Sequence, residues 1–164
     1  MTISEISHEK LLEVSKCLQS KRLTIGTAES CTGGWLAQAL TSQSGSSAWF
    51  KSGFVTYSDE SKQELLRVPS GHFYPEGPGA VSEEVVKAMA AGTIAACKTN
   101  IAIAISGIAG PEGGTIEKPT GTVWIAWQWE NRVETRRFLF AGDRSQVRLA
   151  AVEAALSGIL EFIC

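Results

Sequence analysis

Residues Thr27 to Gly34, "TAESCTGG", set Glu29, Ser30, Cys31 and Thr32 side by side and end on Gly33 and Gly34. Apolar runs flank the stretch on both sides. It is either a polar helix start or a nucleophile site centred on Ser30 or Cys31. A reactive thiolate needs a cationic partner, most often histidine. The chain has two histidines, His8 and His72. His8 falls in an opening helix as a solvated or capping residue, and His72 lies in a Pro/Gly-rich loop. Cys31 therefore reads as a small buried residue.

The same scarcity weakens a Ser-His-Asp triad for Ser30. A lysine kept neutral by burial or by nearby positive charge can replace histidine as the base. Lys62 sits in the first turns of a helix whose preceding strand ends at Tyr57, so both side chains can reach one pocket. Tyr57 could relay a proton or orient the lysine. From spacing alone, a solvated helix lysine pairing with Asp59 or Glu60 is the better reading of Lys62. Gly33 and Gly34 divide evenly between two roles. They free the backbone amides from Thr32 onward for an oxyanion, or they let a helix approach the sheet closely.

A second constellation, "SGIAGPEGGTIEKPTGT", opens from a buried strand into glycines, two prolines, Lys118 and Thr120. It contains neither a Walker string nor GxGxxG. Ser106, the amides of Gly107 and Gly110, and Lys118 are natural donors to a phosphate. A long ordered loop of this kind is more often a ligand loop than a proline-stiffened surface excursion. Arg144 and Arg148, at the start of the last helix, read equally as phosphate contacts or as solvated charge.

The elements that must carry these residues follow from periodicity. An amphipathic helix spans Ser4 to Ser20, and a short strand follows near Leu23 to Thr27. A helix resumes at "WLAQALTSQ", and a strand covers about Gly53 to Tyr57. "SDESKQELLRV" is a helix capped by Ser58, and "EEVVKAMAAGTIAAC" one capped by Ser82. "NIAIAISG" reads as a buried central strand. "TVWIAWQW" and "RVETRRFLF" form a hairpin through Glu130 and Asn131, and "GDRSQVRLAAVEAALSGILEFI" is a closing amphipathic helix. Trp124 should face opposite to Trp127 and Trp129, as core and subunit-contact packing rather than a base-stacking platform. The expected fold is α/β: a three-layer α/β/α sandwich with a mixed, mostly parallel sheet and one antiparallel hairpin.

With 164 residues the chain suits a single domain, 1–164, with a substantial core. A net charge of −2 gives no global field for nucleic acid or an anionic membrane. Its apolar runs are too short to span a bilayer, and the N-terminus lacks a signal-peptide pattern. Cys17, Cys31, Cys97 and Cys164 are widely spaced, which argues against a zinc site and a disulfide framework. A reducing, cytoplasmic setting is expected.

Three long stretches, "TAESCTGGWLAQALTSQSGSSAWFKSGFVTYSDESK", "GAVSEEVV" and "AISGIAGPEGGTIEKPTGTVWIAW", resemble the CinA C-terminal domain family. The likeness covers nearly the whole chain. Characterised members are nicotinamide-nucleotide amidohydrolases of the PncC type. The resemblance implies hydrolysis of the carboxamide of nicotinamide mononucleotide to nicotinate mononucleotide and ammonia, with no metal and no cofactor. It implies Ser30 as nucleophile, with Tyr57 and Lys62 beside it, and so favours Lys62 as base. It implies a nucleotide pocket from Ser106 to Thr120. The family's molybdopterin-domain-like N-terminal partner has no counterpart here, so a stand-alone form is expected. A homo-oligomer, in the first place a dimer, is expected from the tryptophan-rich hairpin. The alternative is a nucleotide-binding or protein-interaction module without turnover, tied to competence or DNA damage. Ammonia release separates the two.

Overall fold

The computed structural model describes residues 6–164. Helix α1 spans His8–Ser20, with the Ser7 hydroxyl accepting from the Lys10 amide as its cap. The expected start at Ser4 lies outside the described residues. The apolar spacing acts as anticipated, burying Leu11, Val14 and Leu18.

Five strands form one sheet: β1 (Ile25–Glu29), β2 (Phe50–Val55), β3 (Ile101–Gly107), β4 (Thr122–Trp129) and β5 (Arg132–Leu139). Their order is β2-β1-β3-β4-β5. β1 pairs in parallel with β2 and β3, while β4 runs antiparallel to both neighbours. Four strands thus point one way and β4 the other. Glu130 and Asn131 turn the hairpin, with Trp129 opposite Arg132.

The remaining helices are α2 (Trp35–Thr41), α3 (Asp59–Leu66), α4 (Glu83–Cys97) and α5 (Arg144–Phe162). Strand β3 shows how its sequence assigns them to faces. Its isoleucines, Ile101, Ile103 and Ile105, point into one cluster with side chains of α1, α2 and α5. Ala102 and Ala104 point the other way, against Val85, Val86, Met89 and Ala90 of α4 and Leu66 of α3. Alternation of large and small residues along one strand sets a thick layer on one face and a close-packed one on the other. The result is the expected three-layer sandwich.

The tryptophans alternate as expected: Trp127 and Trp129 pack with the first cluster and Trp124 with the second. Trp127 is buried, and its indole donates to the Ala155 carbonyl of α5 at 2.9 Å. Trp129 stacks on Phe162. The hairpin tryptophans therefore pack against the two helix layers of this chain, Trp127 buried and Trp124 and Trp129 half-buried.

Three expectations are corrected. Strand β2 ends at Val55 rather than at Tyr57, so Tyr57 lies in the link to α3. Strand β1 lies two residues further on than Leu23–Thr27, so Ser30 follows its last residue directly. The apolar run misled because the strand carries on through Glu29, which is completely buried. Cys17 and Cys164 form a disulfide across 147 residues of sequence. Helix α1 packs beside α5, which brings the end of one to the end of the other; linear spacing cannot reveal such a pairing.

Candidate active site

The strand order makes β1 the point where the chain reverses its direction of travel across the sheet. In open α/β sheets, ligands bind outside the carboxyl ends of the strands at such a point. A cavity of about 280 Å³ lies there, lined among others by Ser30, Tyr57, Lys62, Ser106, Glu112 and Arg144. A larger cleft of about 800 Å³ at the opposite end of the sheet is lined by Lys21, Trp129, Arg132 and Phe162. It holds none of the nucleophile candidates.

Ser30 is fixed from three sides. Its amide donates to the Ile105 carbonyl of β3 at 3.0 Å, extending the ladder one residue past β1. Its own carbonyl accepts from the Gly33 amide at 3.0 Å, closing a tight turn. Gly33 and Gly34 both have positive φ, at 58° and 98°, which explains the glycines. The Ser30 side chain points at Lys62.

Lys62 enters from α3. The Ser58 hydroxyl caps that helix by accepting from the Ser61 amide at 3.1 Å. The first turn then aims Lys62 back under the end of β2. Its Nζ lies 3.0 Å from Ser30 Oγ, 2.7 Å from the Thr56 carbonyl and 3.2 Å from the Tyr57 carbonyl. The residue is 1% exposed, so the reading as a solvated lysine paired with Asp59 or Glu60 fails. Burial pushes its pKa below the ordinary lysine value, opposed by the charge of Asp59 and by Cys31. A neutral amine has two N–H donors and one lone pair. In that neutral form the two carbonyls would occupy the donors and leave the lone pair facing the Ser30 hydroxyl.

Cys31 is buried beside Ser30, and its pKa is pushed up to about 12, chiefly by burial. It stays a neutral thiol, as its small-residue reading requires. Its sulfur packs against Gly107, where a Cβ would stand 3.1 Å from it and 2.7 Å from a Val123 methyl.

Tyr57 touches the lysine through its backbone. Its exposed ring reaches across the mouth, where its hydroxyl accepts from Arg144 at 2.9 Å. Arg144 also donates to the Gly110 carbonyl at 2.8 Å. The loop after β3 is closed at its base by Gly121 donating to the Ile108 carbonyl at 2.7 Å. Ser106 is buried and donates to the Ala80 carbonyl at 2.8 Å, holding the 73–82 segment beside the cavity.

Other expected ligand residues stand apart. Lys118 donates to the Pro78 carbonyl and lies over the Tyr74 ring, away from the cavity wall. Thr120 packs its methyl on Gly110. The amides at the start of α2 are already taken. Leu36 and Ala37 donate to the Glu29 carboxylate at 2.8 and 3.0 Å, and Gly33 donates to Ser30. Arg148 does not line the cavity and holds the carbonyls of Cys31 and Thr32 at 3.0 and 3.2 Å. Glu29, Glu112 and this use of Arg148 escaped the sequence reading. Only Glu29 left a signal, as a carboxylate ending an apolar strand just before a helix start.

Residues 8–163 match the family described as the CinA C-terminal domain. The chain is 48% identical over 158 residues to the nicotinamide-nucleotide amidohydrolase PncC of Enterobacter agglomerans, covering 95% of each chain. It is 52% identical over 137 residues to the protein of that name from Pseudomonas putida, covering 84% of each. Its structure resembles the competence damage-inducible protein A of Klebsiella pneumoniae subsp. pneumoniae, with a TM-score of 0.92 and 43% identity. That likeness covers 97% of this chain and 98% of the other. The chain belongs to the CinA C-terminal domain family.

Proposed function

We propose that this chain is a serine amidohydrolase that converts nicotinamide mononucleotide to nicotinate mononucleotide and ammonia. The observation that carries the reading is Lys62 Nζ, buried and 3.0 Å from Ser30 Oγ, in a chain this close to proteins named for that reaction. Neutral Lys62 takes the Ser30 proton as Oγ attacks the carboxamide carbon. The tetrahedral oxyanion is received by backbone amides of the turn. Those of Cys31 and Thr32 donate to no backbone carbonyl among the described residues. Lys62 returns its proton to the leaving nitrogen, the C–N bond breaks, and ammonia departs. Water then attacks the acyl-enzyme carbonyl, giving its proton to Lys62; the C–Oγ bond breaks as Lys62 returns that proton to Oγ, releasing the acid and regenerating Ser30 and the neutral amine.

Tyr57 assists through its carbonyl, which orients the amine, and through its hydroxyl, which holds Arg144. Arg144 is the cation at the mouth and receives the phosphate, with Ser106, Gly107 and Gly110 shaping the pocket. Lys118 and Thr120 support that loop from outside. A charged, phosphorylated substrate suits a cytoplasmic enzyme, and no helix among the described residues is long and apolar enough to cross a membrane. A homodimer belongs to the reading too. Val55, Tyr57, Tyr74, Ile116 and Leu139 are exposed large side chains gathered at the site end of the sheet. Sedimentation would measure that assembly.

An ammonia assay with nicotinamide mononucleotide tests the function. Ser30→Ala and Lys62→Ala should each lose several orders of magnitude in turnover, while Cys31→Ala stays near wild type. Binding without ammonia release from the wild type would mean a binding module instead.

A further inference from the structure

We infer that Glu29 and Arg148 act together as positioning residues for the nucleophile, one gripping each side of the Ser30–Gly34 turn by its backbone. The inference rests on reading Ser30 as the nucleophile. Neither side chain lines the cavity, so neither touches substrate.

Glu29 is completely buried. Its two carboxylate oxygens accept from Leu36 and Ala37 at 2.8 and 3.0 Å. A buried carboxylate is tolerated only when so satisfied, and charge-assisted bonds are roughly twice as strong as neutral ones. The bonds span from the residue before Ser30 to the first turn of α2, so both ends of the turn are tied to one side chain.

Arg148 grips the other side. From α5, its Nε donates to the Cys31 carbonyl at 3.0 Å and its Nη2 to the Thr32 carbonyl at 3.2 Å. Its guanidinium is held over the Trp35 ring, 5.6 Å from the centroid. In a trans peptide the N–H points opposite to the C=O it is bonded to. Holding the Cys31 carbonyl toward α5 therefore turns the Thr32 N–H away from α5. The Gly33 N–H, partner of the Thr32 carbonyl, is committed to Ser30. Arg148 thus sets two peptide planes of the turn, and Glu29 holds the first turn of α2 that follows it. Misplacing a reacting atom by about 1 Å costs on the order of 100-fold in rate.

The test is the rate at which a fluorophosphonate labels Ser30. Oγ bonds to phosphorus, the P–F bond breaks, fluoride leaves, and the serine proton passes to Lys62. Arg148→Ala should slow labelling and kcat by about 100-fold with KM unchanged, and added guanidinium should restore part of both. Glu29→Gln keeps one acceptor and should lose about tenfold. Should Arg148→Ala fail to fold, Arg148→Lys decides, because it keeps the charge but not the two-pronged grip, and it should also label slowly. Folded variants that label at the wild-type rate overturn the inference. A wild type that labels but releases no ammonia defeats only the proposed substrate. A wild type that does not label defeats the nucleophile assignment and this inference with it.

Discussion

The guanidinium of Arg144 donates to the Tyr57 hydroxyl across 2.9 Å, joining the first turn of α5 to the segment between β2 and α3. Its other contact, the Gly110 carbonyl, ties in the loop after β3. Three segments that meet nowhere else in sequence are thereby held around one cavity mouth by a single cation. If that cation receives the substrate's phosphate, its removal is selective. Arg144→Ala should raise KM for nicotinamide mononucleotide by about 10- to 100-fold, the value of a charge-assisted bond. KM for the unphosphorylated riboside should change little. Equal losses on both substrates in steady-state assays would remove Arg144 from phosphate recognition.

As the proposed base, Lys62 must be neutral to accept the Ser30 proton, which fixes the sign of the pH response. Below its pKa the active fraction rises tenfold per pH unit, and burial moves that limb to lower pH than an ordinary lysine would give. The charge of Asp59 opposes this shift by raising the pKa. Asp59→Asn should therefore displace the acid limb of kcat/KM further toward low pH. A limb that stays put, or moves to higher pH, would dissociate Lys62 from it.

The Cys17–Cys164 bond joins α1 to the end of the chain, far from the cavity. Closing so long a loop stabilises by about 2–4 kcal/mol. Reduction, or Cys17→Ser, should lower the melting temperature by roughly 5–15 °C and leave ammonia release at permissive temperature unchanged. Calorimetry with and without reductant reads the shift.

Gly158 of α5 lies against the Trp127 ring, where an added Cβ would enter the indole. The same indole is anchored on the Ala155 carbonyl and cannot simply swing aside. Gly158→Ala should cost about 1–3 kcal/mol in chemical denaturation despite the better helix propensity of alanine. An unchanged midpoint would show that α5 can slide.

Local chemistry carried much of the reading. Ser58 and Ser82 announced their helices because a hydroxyl can satisfy an orphan amide whatever else surrounds it. The apolar run "NIAIAISG" announced a buried strand, while the unequal layers on its two faces came only from the packing of its isoleucines and alanines. Lys62 shows the opposite case. Its neighbours Asp59 and Glu60 describe a solvated helix, and only packing of α3 under β2 buries the amine against Ser30. Lys118 is a related case: its place in a glycine-rich loop suggested an anion, and the fold of that loop sets it on the Pro78 carbonyl, outside the cavity lining.

The sequence by itself determined the elements, the sandwich class and the short list of reactive groups, because these depend on periodicity, caps and residue type within a few positions. Tertiary structure alone decided which groups meet. The Lys62–Ser30 contact, the arginines of α5 on two separate loops, the Glu29 carboxylate on α2 and the Cys17–Cys164 bond all join distant segments. Such meetings follow from how helices pack across a sheet. So does the loss of water around Lys62, which lowers its pKa below that of an ordinary lysine.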